Sequence, residues 1–159
     1  MSDTLTLLTL IAALGCGLNA GVFFAFSSFV MAALGELPPL RSLSAMQSIN
    51  RRAVTPPFMG ALFGTALLCL GLGVYAALSF DEDWAPLALA GALVYIVGAI
   101  LVTVVFNVPM NNRVDALDAA DPASEDYWSV YLARWTAWNH LRATASLAAA
   151  ALLTLALLA

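Results

Sequence analysis

The chain has one histidine, His140, in a segment dense in side chains that can move protons or hold charge: Arg134-Trp135-Thr136-Ala-Trp138-Asn139-His140-Leu-Arg142-Ala-Thr144. Histidine is the residue type that changes charge near neutral pH. His140 is therefore a candidate for proton transfer, for an axial ligand to haem, or for a hydrogen-bonded interfacial residue. A second polar set closes another apolar run, Thr103-Val-Val-Phe-Asn107-Val-Pro109-Met-Asn111-Asn112, and Gln47 and Asn50 form a third. Asn19 and Ser27 interrupt the first apolar run, with Asn19 deep enough to floor a pocket. Such amides can aim donors at an oxyanion, and they can equally cap helices or bond a neighbouring helix. A non-haem metal centre needs three or four protein ligands, and no second histidine or paired carboxylate stands at ligand spacing. Cys16 and Cys69 form no CxxC pair and read as inert thiols in apolar surroundings.

Helical angles limit which groups converge. At about 100° per residue, Trp135, Trp138, Asn139, Arg142 and Ser146 share one face, while His140 lies with Thr136 and Thr144 about 160° from Arg142. A straight helix cannot aim His140 and Arg142 into one pocket. Trp135 and Trp138 can also be read with Trp128 as an interfacial aromatic belt.

These residues are carried by elements that a membrane must surround. Soluble domains hold roughly 25% charged residues; this chain of 159 holds 10%, with 62% hydrophobic and a mean hydropathy of +0.90. A net charge of -4 and the absence of lysine exclude a nucleic-acid partner. A membrane helix needs about 20 mostly apolar residues. The sequence gives one all-α transmembrane domain, 1–159, with spans at about 5–34, 53–80, 86–108 and 138–159. Thr55 is the expected N-cap of the second span, with Pro56 and Pro57 in its first turn. The third span is expected to stop at Pro109, and the fourth helix to begin near Tyr127, ahead of its span. Segment 44–52 reads as an amphipathic surface helix. All six arginines fall in the first and third connections, so the positive-inside rule places those in the cytoplasm and both termini outside. The chain is thus expected to be a multi-pass protein of the cell membrane. Gly17xxxGly21 and Gly60xxxGly64, the first extended by Ala13 and Ala25, predict close crossings between spans or with a second copy.

Four segments together resemble the anthrone oxygenase-like family of small membrane proteins: Gly21-Val-Phe-Phe-Ala-Phe-Ser27, Ala45-Met-Gln-Ser-Ile-Asn-Arg51, Phe106-Asn-Val-Pro-Met-Asn111 and Trp135-Thr-Ala-Trp-Asn-His-Leu-Arg142. The resemblance implies oxidation of a flat anthrone or phenol by dioxygen without metal or flavin. On that reading His140 is the base, Asn107, Asn111 and Asn139 supply donors, and Arg142 is a countercharge if it turns inward. Trp135, Trp138 and Phe23 wall a flat slot, with Asn19, Gln47 and Asn50 completing it. Two other classes stay open. One is a non-enzymatic protein that binds lipid or a lipophilic small molecule, in a transport-accessory or structural role. The other is a haem- or quinone-binding electron-transfer protein. The implied partners are a lipophilic small molecule and membrane lipids, with a homo-oligomer open.

Overall fold

The computed structural model describes all of residues 1–159. The chain is entirely helical and forms five helices rather than four: α1 Asp3–Gly35, α2 Pro39–Ala53, α3 Pro56–Leu78, α4 Ala85–Asp115 and α5 Ser124–Ala156. The added helix, α2, is the amphipathic segment, extended toward its N-terminus by Pro39 in the first turn. Helices α1, α3 and α4 are long and apolar enough to cross a membrane. Helix α5 falls short of that measure because Asn139, His140 and Arg142 break its apolar run, which holds from Ala143 onward.

Local chemistry sets the ends. Ser2 caps α1, its hydroxyl accepting from Leu5 N–H at 3.4 Å. Thr55 occupies the N-cap position of α3, yet its side chain makes no capping bond. Helix α4 does not stop at Pro109 but continues to Asp115. The proline ring would clash with the carbonyl of the preceding turn in a regular α-helix. Here the turn before it, Thr103–Asn107, is a π-turn, and Val108 N–H reaches back five residues to Thr103 O. The wider turn lets the proline pass. Another π-turn, Ile96–Leu101, precedes it, and α1 carries one at Phe26–Val30. Such turns are common where a helix presents functional groups.

Two apolar clusters hold the structure. One lies within the α1, α3, α4 and α5 bundle and includes Ala12, Cys16, Phe23, Leu62, Cys69, Tyr95 and Leu153. The cysteine sulfurs stand 3.9 Å apart as free thiols. The other, with Leu43, Met46, Val114, Trp128, Tyr131 and Trp135, seats α2 against the ends of α4 and α5. Around the outside, Leu14, Leu67, Val74 and Leu147 are exposed. An outer surface this apolar suits lipid rather than water.

The glycine expectation is corrected for crossings between spans of one chain. Gly17, Gly21, Gly60 and Gly64 face open space. The close crossings use other glycines: a Cβ at Gly15 would strike Thr65, one at Gly98 would strike Ala145, and one at Gly91 would lie 3.0 Å from Leu153. The GxxxG spacing puts two small residues on one face, but it does not say that the face is the inner one.

Candidate functional site

A cleft lies where the two apolar clusters meet. Its buried floor is made by Phe23, Met46, Asn50, Trp135, Asn139 and Arg142. Its half-buried rim is Val22, Phe26, Ile49, Ala53, Phe58 and Asn111. Every helix of the chain contributes: α1 and α3 give aromatic and aliphatic walls, α2 closes one side with Met46, Ile49 and Asn50, and α4 and α5 bring the other polar groups. The cavity volume is about 90 Å³.

Arg142 dominates the floor. Its side chain is only 5% exposed, and its guanidinium carbon sits 3.8 Å above the Phe23 ring, a cation–π contact. Nη1 donates to Asn139 Oδ1 at 3.3 Å, no carboxylate is bonded to it, and Nε has no partner. Asn139 is in turn fully engaged. Nδ2 donates to Phe23 O at 2.7 Å and to Ser27 Oγ at 2.8 Å. Phe23 O stands just before the π-turn of α1 and Ser27 within it, so α5 is tied to α1 at that turn. Asn139 therefore positions the guanidinium, and its own amide hydrogens are spent on α1.

The other amides divide between cleft and scaffold. Asn111 Oδ1 accepts from Tyr131 Oη at 2.9 Å and Trp135 Nε1 at 2.7 Å, fixing the indole that forms the floor. Asn50 donates to Asp115 Oδ1 at 3.0 Å. Asn107 is buried beside the cleft without lining it; Nδ2 donates to Trp135 O at 3.4 Å and Oδ1 is unpartnered. Gln47 does not reach the cleft and donates to Val114 O and Leu117 O, satisfying carbonyls at the end of α4. Asn19 lies apart too, donating to Gly15 O at 2.9 Å and Ala61 O at 3.3 Å, a tie between α1 and α3. Trp138 stacks on Phe106, with ring centroids 3.7 Å apart and planes within 7°, outside the cleft.

His140 stands on the other side of α5, exposed in an open groove of about 500 Å³ with Ser27, Met31, Leu132, Thr136 and Ala137. Ser27 links the two sides without lining the cleft: it accepts from Asn139 and lines the histidine's groove. No three His, Cys, Asp or Glu side chains converge anywhere in the chain.

Of the residues singled out in the sequence, Phe23, Asn50, Asn111, Trp135, Asn139 and Arg142 meet in the cleft; His140, Asn107, Trp138, Gln47 and Asn19 do not line it. Val22, Phe26, Met46, Ile49, Ala53 and Phe58 were not assigned to the site from sequence; the first four stand in the family-like segments, which was the one available signal, while Ala53 and Phe58 carry nothing that separates them from core or outward-facing residues.

With this geometry in view, the comparisons with known proteins decide the family. The anthrone oxygenase family model matches residues 57–152, covering α3, α4 and most of α5. The chain belongs to the anthrone oxygenase family. Asn111, Trp135, Asn139, His140 and Arg142 fall inside the matched region, while Phe23, Ser27 and Asn50 precede it. No curated protein and no solved structure matches the chain.

Proposed function

We propose that the chain is a multi-pass membrane oxygenase that oxidises a flat, lipophilic anthrone or phenol with dioxygen, needing neither metal nor flavin. The observation that carries this reading is the buried Arg142 guanidinium, held by Asn139 with no bonded carboxylate, at the floor of a cleft with a mostly apolar rim. A buried cation without an anionic partner is costly. A substrate that becomes an anion during reaction supplies that partner as the charge develops, which is when stabilisation accelerates a step.

An anthrone meets the requirement. Its methylene opposite the ketone loses a proton to give an electron-rich enolate. The enolate reduces dioxygen, a carbon–oxygen bond forms, and the hydroperoxide loses water to give the quinone. Anthrone and one dioxygen thus become quinone and one water. His140 is the proton acceptor in this proposal, acting from its groove across Ser27, and Arg142 carries the countercharge. Asn107 supports the Trp135 backbone and acts through position. The same reading sets α1, α3, α4 and α5 across the cell membrane as a four-helix bundle, with α2 on the cytoplasmic surface and both termini outside. A cysteine placed at either terminus reacts with an impermeant reagent in intact cells on this topology; reaction only after permeabilisation overturns it.

Oxygen uptake by the purified protein in nanodiscs, with an anthrone and isotopically labelled dioxygen, tests the activity. The account expects quinone carrying one oxygen atom from the gas, at a rate well above protein-free nanodiscs. An apolar groove of about 440 Å³ between α1 and α3, lined by Leu5, Leu8, Leu67, Leu68 and Leu72, favours a second reading in which the chain holds a lipid acyl chain. Co-purified lipid with no oxygen uptake selects that alternative.

A further inference from the structure

The floor of the cleft speaks to the second substrate of the reaction just proposed, and the inference rests on that proposal. We infer that the cleft is a subsite for dioxygen and for the superoxide formed from it, while the ring of the organic substrate lies across its mouth against the rim residues.

Size is the first argument. The whole cleft, rim included, holds about 90 Å³, or roughly three water-sized molecules at about 30 Å³ each. Pockets for drug-sized ligands run from about 300 to 1,000 Å³. The cleft therefore admits a diatomic molecule, and a three-ring one has to lie across its mouth. Surroundings come second. Phe23, Met46 and the Trp135 indole offer an apolar chamber of the kind that a nonpolar gas enters readily. Charge is the third. Asn139 has no donor left to offer, whereas Arg142 Nε is buried without a partner. The unused donors beside the chamber are Arg142 Nε and the Asn111 amide, and of these only the guanidinium is cationic. A guanidinium does little for neutral dioxygen and much for superoxide, so it favours electron transfer over gas binding.

The step balances. One electron leaves the enolate for dioxygen, giving a carbon radical at the rim and superoxide at Arg142. The two unpaired electrons then form the carbon–oxygen bond. The peroxide anion takes up the proton that the carbon lost, and elimination of water completes the quinone.

Azide serves as a stand-in for a small linear monoanion, and the infrared band of the ion reports whether it has left water for a guanidinium. Wild-type protein in nanodiscs should show a saturable shifted band that Arg142→Gln abolishes. Absence of the band in the wild type overturns the inference. Kinetics give the second arm. Met46→Trp fills the floor and should raise KM for dioxygen by about tenfold or more while leaving KM for the anthrone within about twofold. Ala53→Leu, at the rim, should do the reverse. If Met46→Trp instead raises KM for the anthrone, the organic ring occupies the floor and the inference fails. Absence of any oxygen uptake defeats the oxygenase reading itself, and the azide band still decides whether the floor binds a small anion.

Discussion

Replacing Asn139 by alanine removes three hydrogen bonds at once: to Phe23 O at 2.7 Å, to Ser27 Oγ at 2.8 Å, and from Arg142 Nη1 at 3.3 Å. The first two join α5 to α1, and interhelical bonds of this kind in membranes average about 0.6 kcal/mol each. The third involves a charged donor, a class worth about 1.5–3 kcal/mol. Together the loss comes to about 3–4 kcal/mol. Arg142 then keeps only its contact with Phe23. Asn139→Asp separates the two roles. A carboxylate still accepts from the guanidinium and retains part of the stability, but it pairs the cation and so should abolish turnover. Reversible unfolding in mixed micelles, read by far-ultraviolet circular dichroism, measures the first effect. A loss below about 1 kcal/mol in Asn139→Ala would refute the view that this amide joins α5 to α1.

Asn111→Leu leaves the Tyr131 hydroxyl and the Trp135 indole N–H without their acceptor, and should cost about 2–4 kcal/mol in the same unfolding assay. Gly98→Ala drives a methyl group into Ala145 and should destabilise by about 1–3 kcal/mol, whereas Gly21→Ala, facing open space, should be neutral in melting temperature. His140→Ala should leave melting unchanged, since the side chain is exposed, and lower anthrone turnover by about a hundredfold or more. Unchanged turnover in that variant removes the histidine from the chemistry.

The helices were legible because a helix able to cross a membrane needs a long apolar run, and helices consecutive in the bundle pack against each other. Helical angles also separated His140 from the face shared by Asn139 and Arg142, but they did not say which face turns inward; Asn139 and Arg142 are the buried ones and His140 is exposed. Three features escaped. The π-turns of α1 and α4 rotate everything beyond them and carry α4 past Pro109, yet no residue type announces a turn of that width. Trp138 shares an angular strip with Trp135 but finds Phe106 instead, because the widened Thr103–Asn107 turn sets that ring beside it. The side-chain amides look alike in sequence, and only partners distinguish them: Asn139 holds a cation, Asn19 ties two helices, and Gln47 satisfies a helix end. Composition can show that polar groups at membrane depth need partners. It cannot show which of them have already found one.

The central claim is that Arg142 supplies the charge that an oxidised anion requires. Its most direct test is the anthrone turnover of purified Arg142→Gln in nanodiscs beside the wild type, with folding checked by circular dichroism. The account predicts active wild-type protein and a loss of about a hundredfold or more in kcat for the variant, because glutamine keeps a donor but not the charge. A folded Arg142→Gln protein that turns over anthrone at the wild-type rate would contradict it.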